Sequence, residues 1–96
     1  MYVKIHKTGF SEVVCVCDED LIDKKFEDGD LQLDITGRFY KGEKKTEEEV
    51  IKILKEAGNM NIVGEKSIKA AIKAGIIGKE NIIKIKNIPH AQVYNI

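Results

Sequence analysis

The chain has 96 residues, enough for one domain with one core and too few for separate catalytic and regulatory domains; folding at this size buries somewhat above roughly 60% of the unfolded surface. Formal net charge is zero, yet residues 1–50 carry eight basic against thirteen acidic side chains (−5) and residues 51–96 carry eight lysines against Glu56, Glu65 and Glu80 (+5). Met1–Lys7 alternates instead of running apolar and the longest apolar runs are only a few residues, which excludes a signal peptide or a membrane span and leaves a soluble, cytoplasmic protein as the expectation.

Tyr2–Lys7 alternates with Val3 and Ile5 on one face, Thr8-Gly9 forms a turn, and Glu12–Cys17 is a second β-branched run, so the first two elements are predicted to pair as a hairpin. Asp18 then offers an N-cap, and Glu19-Asp20 favourable first-turn charge, for a short helix through Phe26 that turns Leu21, Ile22 and Phe26 inward. Asp28-Gly29 ends it. Asp30–Thr36 has the period of a half-buried strand, with Leu31, Leu33 and Ile35 on the buried side, and Gly37–Lys45 is a polar connection containing Phe39-Tyr40.

Thr46 followed by Glu47, Glu48 and Glu49 is a capping-box pattern opening a helix to Ala57 that buries Val50, Ile53, Leu54 and Ala57. Gly58 supplies a left-handed C-terminal residue. The chain crosses Asn59–Val63 and enters a third helix from Gly64 to Ala74, with Ile68, Ala71 and Ile72 inward and Gly75 as its stop. Ile82–Lys86 and Ala91–Tyr94 close the fold as strands around Asn87-Ile88-Pro89-His90. Strands, then helices, then strands, without βαβ alternation, predict a single α+β domain over residues 1–96, with a largely antiparallel sheet and two or three helices. Abundant Ile, Lys and Glu, one Pro and no Trp fit a heat-adapted composition.

Four segments carry a family resemblance: Cys17-Asp18-Glu19-Asp20-Leu21-Ile22, Phe39-Tyr40-Lys41-Gly42, Asn61-Ile62-Val63-Gly64-Glu65 and Pro89-His90-Ala91-Gln92. With them the chain resembles the archaeal family of domain of unknown function 424 over nearly its whole length. The resemblance implies a compact archaeal cytosolic protein and an association with the translation machinery, and it brings no activity with it. The sequence departs from the pattern at Asp23, where glycine is expected.

The third helix and its approach supply the main candidate site. Backbone N–H groups at a helix start lack intrahelical partners, and the helix dipole adds positive charge there. Asn59, Asn61, Gly64 and Ser67 are the expected turn donors, and Lys66, Lys69 and Lys73 share one helical face opposite Ile68 and Ile72. Together they predict a surface for an anionic partner such as RNA or a ribonucleoprotein, through phosphate contacts. The bland alternative is a solvated lysine face. Ile62–Ile68 also resembles the turn and second helix of a helix-hairpin-helix motif, although Ile62 stands where its first glycine belongs and the link from Ala57 is long.

Other candidates are sparser. His90 and Gln92 form a donor pair for a ligand contact, with simple closure of a turn as the alternative. Cys15 and Cys17 lie on one strand face about 7 Å apart, too close in sequence for a disulfide framework, so they are expected to be reduced, buried and without metal; His6 and His90 are the only histidines available to complete a zinc site. A nucleophilic Cys17 with His90 as base on a small metabolite is the enzymatic alternative, and the acidic N-terminal half facing a basic protein is the interaction alternative. No catalytic residue and no cofactor is assigned, and surface aromatics of a base-stacking platform are lacking.

Overall fold

A computed structural model describes residues 1–94; Asn95 and Ile96 of the predicted domain lie outside the described residues. In chain order the elements are β1 (Tyr2–Thr8), β2 (Ser11–Cys17), β3 (Lys24–Asp28), β4 (Leu31–Ile35), α1 (Gly37–Tyr40), β5 (Glu43–Lys44), α2 (Glu47–Glu56), β6 (Asn59–Val63), α3 (Glu65–Lys73), β7 (Ile82–Ile85) and β8 (Ile88–Val93). Six strands form one sheet in the order β5-β1-β2-β6-β8-β7, and β3 and β4 form a separate hairpin. All pairings are antiparallel except β2 with β6, which is parallel. The fold is α+β. Among the described residues no helix is long and apolar enough to cross a membrane.

Strand alternation sends side chains to two cores. On one face Val3, Val14, Val16, Met60, Ile62 and Ala91 pack with Val50 and Leu54 of α2 and Ile68, Ala70 and Ala71 of α3. On the other, Cys15, Cys17, Val63 and Ile85 pack with Leu33 and Ile35 of the small hairpin and with Tyr40 of α1. The predicted capping box starts α2: Thr46 Oγ1 accepts from Glu49 N at 3.2 Å, and Glu49 Oε1 accepts from Thr46 N at 3.0 Å. The β1–β2 hairpin also forms as expected.

Several expectations are overturned. The helix predicted from Asp18 to Phe26 is only a 3-10 turn at Glu19–Leu21 followed by β3, whose residues pair with β4. Asp23 diverts the chain: its φ is 66°, its N–H donates to Ile35 O at 2.6 Å, and its carboxylate accepts from Gly37 N. That positive φ explains why glycine suits this position, and an aspartate tolerates it better than most side chains. Leu31 is exposed where burial was expected, whereas Leu33 and Ile35 are buried.

The connection Gly37–Lys45 contains α1 and β5, and buries Tyr40. Asn59–Val63 is not a loop; it is a central strand, unalternating because both its faces are covered. Gly58 does not take positive φ, because Ala57 leaves α2 directly into extended backbone; Gly75 does, at 75°. The β7–β8 turn lies at Lys86-Asn87, both left-handed, so β8 begins earlier than expected and includes Pro89. Pro89 sits just past the last β6–β8 pair, where its carbonyl accepts from Gly64 N at 2.9 Å and no N–H is required. Ile72, expected inward, is 46% exposed.

Candidate functional site

Gly64 links β6 to α3 with φ 106° and ψ 155°, leaving α3 without a cap from its own N-cap residue. The cap comes from Asp18, 49 residues earlier than Ser67. Its Oδ1 accepts from Ser67 N at 2.8 Å and Ser67 Oγ at 2.7 Å, and its Oδ2 accepts from Lys66 N at 3.1 Å. Asp18 is only 6% exposed and Ser67 is fully buried. Register makes this possible, since β2 and β6 run parallel with Cys17 opposite Val63, and Asp18 N continues the ladder onto Val63 O at 3.1 Å. Any Cβ on Gly64 would collide with the Asp18 carboxylate.

The first-turn donors read as open to an external phosphate are therefore occupied by an internal carboxylate. The two donors Gly64 and Ser67 are committed within the fold. The helix-hairpin-helix resemblance fails as well, because a strand, β6, separates α2 from α3.

The three lysines of α3 also part company. Lys66 lines a polar pocket of about 360 Å³ with Met1, Asp18, Glu19 and Asp20, whose carboxylates repel an incoming anion. Lys73 Nζ lies 2.8 Å from Glu47 Oε1 of α2. Lys69, exposed and without an acidic partner among the described residues, instead rims an apolar groove between α3 and β7. Ile68, Ile72, Ile82 and Pro89 form its floor, Lys69, Lys73, Lys84 and Glu65 its rim, and its volume is about 430 Å³. Lys84 lies in β7, eleven residues beyond Lys73, so the lysine spacing along α3 gives no sign of it.

Asn59, Asn61, His90 and Gln92 lie on the opposite face of the sheet from α3. Asn61 is buried, and its Oδ1 accepts from Tyr40 Oη at 2.9 Å and lies 3.0 Å from His90 Nε2. Gln92 is the cross-strand neighbour of Asn61 and is exposed. Asn59 Nδ2 donates to Glu12 O. Burial lowers the His90 pKa, so the ring is neutral at pH 7 and the tautomer protonated on Nε2 completes the contact to Asn61. Burial also raises the pKa of Tyr40, keeping it a donor.

Cys17, Val63 and His90 form one transverse row, so Val63 stands between the thiol and the imidazole across two strand spacings, about 9–10 Å. Cys17 is fully buried, its Sγ donates to Asp18 O, and burial followed by the Asp18 charge pushes its pKa up to about 12. Burial pushes Cys15 up to about 11. Neither sulfur is an available thiolate near neutrality, and the two are free thiols. Among the described residues no three of His, Cys, Asp and Glu come together to hold a metal ion.

The family model described as Protein of unknown function (DUF424) matches residues 6–96. A crystal structure of an uncharacterized conserved protein from Methanopyrus kandleri is similar at 25% identity, covering 99% of this chain and 93% of that one with a TM-score of 0.84. No curated protein matches. The four segments that carry the family resemblance meet in space, through Asp18 with Val63, Tyr40 and His90 with Asn61, and Gly64 with Pro89.

Proposed function

The chain belongs to the DUF424 family, whose description assigns no activity, and from its surface geometry we propose a non-catalytic binding module for an anionic partner, RNA or a ribonucleoprotein. The contact face is the α3–β7 groove, not the end of α3. One observation carries this reading: Ile72, half exposed, is flanked by Lys69, Lys73 and Lys84, so apolar floor and cationic rim occur together. Lys69 and Lys84 have no ion-pair partner among the described residues, whereas Lys73 shares its charge with Glu47. A ribonucleoprotein offers both matching features, phosphates for the rim and apolar side chains for the floor. Such a partner also accords with the cytoplasmic location expected from the sequence.

The test is fluorescence anisotropy with a labelled single-stranded RNA, alongside co-sedimentation with purified ribosomal subunits. Lys69→Ala/Lys84→Ala should weaken both and flatten the plot of log affinity against log salt by about one to two units. Ile72→Ser should weaken particle binding while leaving RNA binding nearly unchanged. Binding that ignores the lysine changes, or no binding of either probe at low salt, overturns the proposal.

A further inference from the structure

The face of the sheet turned away from α2 and α3 is only partly covered. The β3–β4 hairpin and α1 seal the end that carries Cys17 and Val63, where Leu33, Ile35 and Tyr40 pack. The other end is open. There His6 lies opposite Val13 and Val13 opposite Asn59, and the β6–β8 register carried one residue further sets Tyr94 beside Asn59. Side chains directly opposite one another share a face, so these four form a row across four strands, about 14 Å from β1 to β8.

Aromatic rings too dispersed in the sequence to read as a platform meet along this row. Phe39 of α1 stacks on His6, with ring centroids 4.5 Å apart and planes 16° from parallel, and the Phe39 carbonyl oxygen lies 2.8 Å from His6 Nε2. One side of the phenyl ring is thereby fixed, while Phe39 as a whole stays 37% exposed. Tyr94, at the far end of the row, is 56% exposed. Burial raises the pKa of Tyr40 and Tyr94 adds to the rise, so the two phenols lie near each other across the shelf. Val13 and Asn59, both half-buried, form its floor, and Gln92 presents an exposed amide beside it. Cations border the rings: Lys4 Nζ donates to Arg38 O at 2.6 Å, and Arg38 and Lys41 bracket Phe39 and Tyr40 in sequence. None of the three has an ion-pair partner among the described residues.

We propose that this shelf binds single-stranded RNA, stacking bases on Phe39 and Tyr94 and holding phosphates with Lys4, Arg38 and Lys41. The occupant follows from the chemistry of the surface. A ring stack with one open side is extended by another flat ring, an exposed amide pairs with a base edge, and unpaired cations take phosphates; an unpaired strand supplies all three. A duplex keeps its bases from the rings, and an apolar protein surface leaves the cations unanswered. The inference rests on the RNA reading above for its class of partner, but it uses the face of the sheet opposite the α3–β7 groove.

Fluorescence anisotropy over a salt series tests it with two labelled probes of about eight nucleotides, a mixed-sequence RNA and an abasic counterpart that keeps every phosphate and lacks every base. The wild-type chain should prefer the RNA by at least about fivefold. Phe39→Leu, which keeps an apolar side chain, and Tyr94→Leu should each weaken RNA binding by at least about fivefold at every salt concentration and leave abasic binding unchanged. Neither should alter the slope of log affinity against log salt, because stacking releases no counterion, whereas Arg38→Ala/Lys41→Ala should flatten it by about one to two units. Equal affinity for the two probes, RNA binding indifferent to both aromatic variants, or no RNA binding at low salt overturns the proposal. Lys69→Ala/Lys84→Ala separates the two faces. Base-dependent binding that ignores those lysines removes the groove and keeps the shelf; base-independent binding that needs them does the reverse. Tyr94 stands largely in water, so its variant remains decisive if Phe39→Leu disturbs α1.

Discussion

Asp18 and Ser67 form a buried pair in which one carboxylate oxygen accepts both the backbone N–H and the hydroxyl of the same residue, at 2.8 and 2.7 Å. The contact joins the end of β2 to the first turn of α3 and fixes the helix on the sheet. It also consumes the positive end of that helix.

Asp18→Ala should therefore destabilise the fold by about 2–4 kcal/mol, because it strands buried donors that a charge had satisfied. Chemical denaturation followed by circular dichroism measures this. A loss below about 0.5 kcal/mol would show that water replaces the carboxylate.

Gly64→Ala should also destabilise, by about 2 kcal/mol or more, from a positive φ and a collision with the Asp18 carboxylate. In a double-mutant cycle the two changes should be less than additive, since removing the carboxylate relieves the collision. Strict additivity would place the cost of Gly64→Ala in the backbone alone.

Ile72→Ala should cost under about 1 kcal/mol, because half of that side chain is already in water, whereas Leu54→Ala at the centre of the same layer should cost about 2–5 kcal/mol. Equal shifts in denaturation midpoint would contradict the observed burial.

The buried thiols predict a stability loss in alkali. Burial pushes the pKa of Cys15 up to about 11 and that of Cys17 up to about 12 from an ordinary 9.0, so their contribution is fully present below about pH 9 and is lost as pH rises through the folded values. The unfolded chain binds fewer protons in that window. Denaturation between pH 8.5 and 10.5 should show stability falling, with the Cys15→Ala/Cys17→Ala variant giving a shallower slope. Native protein should also resist alkylation at pH 8, while denatured protein reacts at both sites.

His90 acts at the other end of the scale. Its folded pKa is lowered by burial, so the unfolded chain binds the proton first on acidification. Stability contributed by the neutral ring is present above about pH 6.5 and declines as pH falls towards the folded value. His90→Gln should flatten that acid limb, and NMR titration of the imidazole should give a midpoint below that of an unfolded peptide.

Local chemistry was legible in the sequence where a few adjacent residues decide the outcome. Alternation along Tyr2–Lys7 and Glu12–Cys17 specified a hairpin, Thr46 with Glu49 specified a capped helix, and Gly75 specified its neighbour's stop. The α+β class and the burial faces of α2 and α3 followed from order and period, apart from Ile72, which is half exposed, and Ser67 and Ala70, which are fully buried. Tertiary structure decided the rest, because the determining partners lie far apart in the chain. Asp18 reads locally as the cap of a following helix, and only the parallel pairing of β2 with β6 turns it onto α3. β6 reads as a polar link because burial on both faces erases alternation, and Asn61 is tolerated there only once Tyr40 and His90 arrive to satisfy it. Lysine spacing along α3 set one helical face, but neighbours from other elements apportioned its charge: Glu19 and Asp20 beside Lys66, Glu47 on Lys73, and Lys84 across the groove from Lys69. Propensity and period act within a few residues, whereas electrostatic pairing and burial act through space, which is why the fold was readable from the chain and the site required the assembled sheet.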